Sequence, residues 1–274
     1  MKDPFLFNDK AVFVAGGTSG INKGIALKFA ELGARVCVIS RSEEKVEQTV
    51  EDLNKLSPLA CFGYTADVRD TDRVKEVVGL AAKEYNAPID FVISGAAGNF
   101  PAKAKDMSYN AFKSVIDIDL LGTFNVLHAL FPYLKKPGAS IINISAPQAF
   151  VATELQSHVC AAKSGVDMIT KSLALEWGKE GIRINSVVPG PIAGTEGMKR
   201  LAPTEAILQK VKQTVPLNRH GTLEDIANAC VWLSSSMASY VNGIVLPIDG
   251  GWSLSGWSVC AAELTDIYEN LKNK

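Results

Sequence analysis

The chain has 274 residues, 47% of them hydrophobic, which is enough apolar material for one large core or two small ones. Lys and Arg number 28 against 29 for Asp and Glu, and this near-neutral balance argues against a nucleic-acid tract or a membrane-surface patch as the protein's main business. No uninterrupted apolar run reaches the roughly 18 residues of a membrane span.

The opening Met-Lys-Asp-Pro-Phe-Leu-Phe lacks the apolar run of a secretory signal, and the closing Glu-Asn-Leu-Lys-Asn-Lys is not a Ser-Lys-Leu address. A cytoplasmic location is therefore expected. The five cysteines, Cys37, Cys61, Cys160, Cys230 and Cys260, are odd in number and lack metal-ligand spacing, so reduced thiols and no metal are expected.

Strand-like and helix-like segments alternate along the chain. The run 11–15 (Ala-Val-Phe-Val-Ala) ends in glycines, helical spacing follows at 25–32, and Gly33 closes it. A strand at 36–40 precedes an amphipathic helix at 43–55 capped by Ser42. Next come a strand at 60–65, a helix at 71–85, a strand at 91–94, a long helical stretch at 109–134 and a strand at 140–145. A helix at 161–177 feeds a strand at 184–188 that Pro189 and Pro191 stop. Helices near 204–213 and 223–234 lead to a last strand at 244–248, ending in Asp249-Gly250-Gly251. Continuously apolar strands separated by helices predict a parallel sheet covered on both faces. With no linker or composition break, residues 1–274 read as a single doubly wound α/β domain.

The first strand runs into Gly16-Gly17-Thr18-Ser19-Gly20-Ile21-Asn22-Lys23-Gly24 and then a helix. A glycine-rich turn there lets backbone amides and a helix N-terminus meet a pyrophosphate, which predicts a nicotinamide dinucleotide held by Gly16, Thr18, Ser19, Gly20 and Ile21. After the second strand, Ser40-Arg41-Ser42 stands where NAD-binding units place a carboxylate. Arg41 suits a 2′-phosphate, with Lys45 or Lys23 as helpers, so NADPH is the expected cofactor. Asp67 either accepts from the adenine amino group or is an N-cap or loop carboxylate; Val68, next to it, is also expected to contact the cofactor.

These segments resemble the short-chain dehydrogenase/reductase family over essentially the whole chain. The resemblance rests on the glycine loop, Ala96-Ala97-Gly98, Asn185-Ser186-Val187-Val188-Pro189-Gly190 and Asp249-Gly250-Gly251. It implies a Rossmann-type seven-stranded sheet, a homotetramer or homodimer, cofactor contacts at Ala96, Lys163, Pro189, Gly190 and Ile192, and a substrate-covering segment at about 190–216. One departure lies in the phosphate loop: Asn22 occupies the place of a third glycine, and its tolerance of left-handed backbone angles is expected to let the loop form.

A second departure is chemical. Lys163 fits the family's lysine, which puts Val159 at the tyrosine position, Ala146 at the serine position and Asp119 at the asparagine position. A carbonyl reductase protonates an alkoxide as hydride arrives, and Val159 has no proton to give. The chain is more similar to the branch of peroxisomal-type 2,4-dienoyl-CoA reductases, on Ser94-Gly95-Ala96-Ala97-Gly98-Asn99-Phe100, Asp117-Ile118-Asp119, Gly122-Thr123-Phe124-Asn125-Val126 and Pro189-Gly190-Pro191-Ile192-Ala193-Gly194-Thr195-Glu196-Gly197.

That resemblance implies reduction of an unsaturated acyl-CoA, with Asp119 and Lys163 as the catalytic pair. Asn99 and Phe100 either position substrate or close a loop, His158 is either a proton donor or a structural histidine, and Gly194 belongs to a lid. The competing readings are a reductase of another conjugated enoyl thioester or enone, and a non-catalytic NADP(H)-binding sensor or subunit.

Overall fold

The computed structural model of the chain describes residue 5 and residues 7–202 and 204–257. Seven parallel strands form one sheet: β1 (Ala11–Ala15), β2 (Arg35–Ser40), β3 (Phe62–Thr65), β4 (Phe91–Ser94), β5 (Ser140–Ile144), β6 (Arg183–Pro189) and β7 (Val245–Ile248). Their order is β3-β2-β1-β4-β5-β6-β7, so the winding reverses between β1 and β4. In an open α/β sheet the ligand crevice lies at that switch point, outside the carboxyl ends of the strands.

Helices α1 (Gly20–Glu31), α2 (Glu43–Leu56), α3 (Thr71–Tyr85), α4 (Tyr109–Val115), α5 (Gly122–Leu130), α6 (Ser157–Trp177), α7 (Glu196–Leu201), α8 (Glu205–Thr214) and α9 (Leu223–Ser234) complete the order. One sheet face is covered through Ile25, Phe29, Leu53, Ile226 and Leu233, from α1, α2 and α9. The other is covered through Val74, Val78, Leu127, Leu130 and Leu173, from α3, α5 and α6. Strand β1, the interior of β2 (Val36–Ile39) and Phe91–Ile93 of β4 are apolar because both of their faces are covered, whereas edge strand β7 is only half-buried and tolerates Pro247.

Four departures from expectation larger than a one-residue shift have a physical reason. Helix α1 begins at Gly20 rather than at residue 25, because its first turn faces the crevice and shows no apolar period. The strand expected to start at 60 starts at Phe62, since Asn54 Oδ1 takes the Cys61 amide into a turn. The helix expected from 161 begins at Ser157 and carries His158 and Val159 in its first turn. The long helical stretch is interrupted by a π-helical turn, Ile116–Leu121, between α4 and α5.

The continuous stretch Tyr109–Tyr133 is long and apolar enough by composition to cross a membrane, but Val126, Leu127 and Leu130 are fully buried in the sheet core. Cys37, Cys61 and Cys230 are free and buried, and burial pushes their thiols up from the ordinary range. Cys260 and the closing residues lie outside the described ones. Among the described residues no group of three His, Cys, Asp or Glu side chains could hold a metal ion.

Candidate active site

The cleft at the switch point has Gly16, Thr18, Ser19, Gly20 and Ile21 on one wall, Arg41, Asp67 and Val68 at one end, and Ala96 opposite. The predicted phosphate loop and the predicted adenosine-side residues are thus brought together. Gly16 has φ +75°, and a Cβ there would lie 2.8 Å from Ala96 Cα and 2.9 Å from Ala96 N. Backbone passes too close to backbone at this point for any residue but glycine. Helix α1 starts at Gly20 and directs its N-terminus at the cleft, as a bound pyrophosphate requires.

At the adenosine end, Arg41 is exposed and lines the cleft. Asp67 does not cap the next helix; Asp70 does, accepting the Arg73 amide at 3.0 Å. Asp67 is instead gripped by Arg69, a residue that sequence reasoning missed: Arg69 Nη2 donates to Oδ2 at 2.6 Å and Nε to Oδ1 at 3.0 Å. Those hydrogen bonds hold the Asp67 carboxyl below the usual carboxylate range. Lys23 does not assist Arg41. Its ammonium pairs with Asp52 at 2.8 Å, and hydrogen bonds from Lys23 and Lys55 draw the Asp52 pKa down to about 2. Lys45 lies outside the cleft lining.

Deeper in, the π turn aims Asp119 inward. Its side chain is 1% exposed, and Oδ1 accepts the Gly98 amide at 2.7 Å. Oδ2 lies 3.3 Å from Lys163 Nζ. Lys163, 7% exposed, also donates to the Ile144 carbonyl at 3.0 Å. An isolated charge at this depth would be costly, so each of the pair sustains the other. Asp119 Oδ2 makes no hydrogen bond of good geometry and retains acceptor capacity. Val159 is buried and Ala146 half-buried, so the neighbouring tyrosine and serine positions offer no hydroxyl.

One turn along α6 from Lys163, Asp167 is 6% exposed, and burial raises its pKa against hydrogen bonds from Ser145 and Ser186. Asn143 Nδ2 donates to Thr170 Oγ1 at 2.8 Å, and Thr170 Oγ1 is 2.9 Å from Ser186 Oγ. This polar layer beneath the pair was not legible beforehand, since its members come from β5, α6 and β6.

His158 is fully buried, its ring centroid 4.4 Å from that of Phe100, and neither ring nitrogen makes a hydrogen bond of good geometry. Burial holds its pKa below the ordinary histidine value, opposed by the Phe100 backbone and by Asp119. Gln156, also missed, donates from Nε2 to the Phe100 carbonyl at 3.3 Å and secures the loop that carries Asn99 and Phe100.

Gly194, at φ +74°, precedes Thr195, which caps α7 by accepting the Met198 amide at 3.2 Å. Thr195, Glu196 and Gly197 reach the dinucleotide cleft. Gly190 and Ile192 do not line that cleft; they open onto a neighbouring cavity shared with Asp249 and Gly250. Pro189 ends β6 beside them and pairs with Ile248.

Residues 15–253, from the end of β1 through β7 and including the cleft, match the family described as enoyl-(acyl carrier protein) reductase. The chain is a short-chain dehydrogenase/reductase. It is 42% identical over 249 residues to the peroxisomal 2,4-dienoyl-CoA reductase, (3E)-enoyl-CoA-producing, of Rattus norvegicus, covering 90% of this chain and 85% of the relative. A peroxisomal 2,4-dienoyl-CoA reductase of Saccharomyces cerevisiae is 41% identical over 255 residues, covering 92% and 87%. The crystal structure of levodione reductase superposes with a TM-score of 0.85 at 30% identity, over 91% of this chain and 99% of that one.

As a short-chain dehydrogenase/reductase the chain is an oxidoreductase whose fold binds NAD(P). The cytoplasmic location expected from the sequence is overturned, because the rat and yeast relatives are both named as peroxisomal enzymes. The expectation rested on the lack of a secretory run and of a closing Ser-Lys-Leu, and neither lack excludes a peroxisomal destination.

Proposed function

We propose that this reductase uses NADPH to reduce a 2,4-dienoyl-CoA to a 3-enoyl-CoA. The observation that carries the reading is the buried Asp119–Lys163 pair, 3.3 Å apart, beside a tyrosine position filled by Val159. Support comes also from the names of the rat and yeast relatives.

The residues present fit the dinucleotide. Gly16 leaves its approach open, the α1 N-terminus serves the pyrophosphate, and Arg41 offers a planar cation to a 2′-phosphate. When bound, NADPH supplies a hydride to the far end of the conjugated dienoyl thioester. The electron pairs shift toward the thioester oxygen, giving a dienolate that the site must stabilise.

Lys163 keeps positive charge at the site, and His158, held neutral by burial, has a ring N–H to donate to the thioester oxygen. Asp119 uses its spare Oδ2 acceptor to orient a water, which protonates the α-carbon and is itself reprotonated from solvent. Asn99 and Phe100 lie on the loop that Gln156 secures, where they contact the acyl group, while Gly194 hinges the covering segment. The chain works as a homodimer or homotetramer, for Phe124, Met168 and Leu175 on α5 and α6 are large exposed apolar side chains.

The test is oxidation of NADPH, and separately NADH, with a short 2,4-dienoyl-CoA, a simple 2-enoyl-CoA and a saturated ketone. Turnover with the dienoyl thioester alone, and with NADPH preferred, is expected. Equal turnover of the ketone would sink the reading, and tight NADPH binding without any turnover would point to the non-catalytic alternative.

A further inference from the structure

Asn22 stands where the family pattern has a third glycine, yet it is neither in a left-handed conformation nor solvated. It lies in the first turn of α1, 8% exposed, with no positive φ. Its Nδ2 donates to the Gly95 carbonyl at 2.7 Å and more weakly to the Gly16 carbonyl at 3.4 Å. One amide therefore ties the loop after β1 to the loop after β4. Those loops are the two walls of the cleft.

The partner position is equally constrained. A Cβ at Gly95 would fall 2.4 Å from Asn22 Oδ1, 2.5 Å from Nδ2 and 2.7 Å from Cγ. Gly95 has no positive φ, so backbone conformation does not demand glycine there. What demands it is the Asn22 amide. A side chain at 95 would expel that amide and break both of its hydrogen bonds.

We infer that Asn22 and Gly95 form one positioning device: room given up in the helix is regained in the β4 loop, and the amide placed there holds the cleft at its binding width before the dinucleotide arrives. The inference rests on the family reading of the cleft as a dinucleotide site. A cleft held in this way avoids the ordering cost that a looser one meets on binding. Asn22 also lines the cleft, but the positioning acts through the loops it joins, and the coupling with position 95 isolates that part.

The test is a double-mutant cycle of Asn22→Gly and Gly95→Ala, with two readouts: the NADPH Kd by fluorescence titration, and the Tm of the cofactor-free protein. Gly95→Ala is expected to weaken NADPH binding ~10-fold, the scale of a hydrogen bond lost together with its geometry. Adding Asn22→Gly to that variant is expected to recover part of the loss, because the clash is gone. Asn22→Gly alone is expected to raise the KM for NADPH more than it lowers kcat.

Kd effects that simply add would overturn the pairing. Coupling in Tm with no coupling in Kd would overturn pre-organisation and leave a packing contact only. A wild-type protein that binds neither NADPH nor NADH would overturn the dinucleotide reading itself, and this is seen before any variant is measured.

Discussion

Asp119 is embedded among fixed partners: the Gly98 amide on Oδ1, Lys163 3.3 Å from Oδ2, and Thr123 Oγ1 donating at 2.6 Å to its carbonyl. Asp119→Asn keeps the shape and removes the charge. Dienoyl-dependent NADPH oxidation is expected to fall ~10²-fold or more, the usual worth of a positioned acid–base group, while the NADPH Kd changes far less. Stopped-flow oxidation paired with a binding titration checks this.

Asp167 makes a different prediction. Burial raises its pKa, so the folded state holds its proton to a higher pH than the unfolded chain does. The stability that this proton contributes is present at pH below about 4 and is lost as pH rises through the folded pKa. Asp167→Asn is neutral at every pH, so it is expected to raise Tm at pH 7 and to lose that advantage as pH approaches 4. Thermal melts across that window decide the matter.

At this scale Lys163 and Asp119 were readable because their neighbours in the chain mark them. Gln156 and the Asn143–Thr170–Ser186 layer were not, because only folding brings their partners within 3.5 Å; Arg69 lies two residues from Asp67, and that spacing alone does not mark a pair.

Among the elements, the π turn Ile116–Leu121 is the piece that carries the buried Asp119. An extra residue in one turn rotates Asp119 out of an otherwise regular face, and π bulges tend to occur at functional sites for this reason. Its close packing against the β3 exit depends on Gly122, where a Cβ would lie 2.5 Å from Val68 Cγ2. Gly122→Ala is expected to cost about 1–3 kcal/mol by overpacking. It should also weaken NADPH binding, since Val68 lines the cleft. Chemical denaturation and fluorescence titration measure the two effects.

The central strands β1, β2 and β4 were legible because burial on both faces writes their interiors as apolar runs. The π turn was not, since one inserted residue leaves the apolar composition of 109–134 unchanged. The start of α1 was missed on similar grounds, since a turn that faces a ligand cleft needs no apolar period, and that of α6 because its first turn opens on Ser157 and the buried His158.

For the whole molecule, one sheet order places two charge systems at the carboxyl ends of the strands: the exposed Arg41 in the cleft, and the buried Asp119–Lys163 pair, tied through the Gly98 amide to the β4 loop that walls it. A dinucleotide spanning that cleft stabilises the folded state alone. NADPH at a hundred times its Kd is expected to add ~2.7 kcal/mol. In differential scanning fluorimetry Arg41→Ala is expected to shrink the NADPH-induced rise in Tm toward the rise that NADH gives. Equal rises with both cofactors in the unsubstituted protein would remove Arg41 from the specificity role.

The Asn22–Gly95 contact also bears on history. A chain with glycine at both positions has no clash, and neither does the present one, whereas Asn22 opposite any side chain at 95 loses its hydrogen bonds. A lineage moving one substitution at a time from glycine at 22 and a side chain at 95 therefore keeps a sound loop only by clearing position 95 first. Return is gated in the same way, with Asn22 the first to go, so neither position drifts independently of the other.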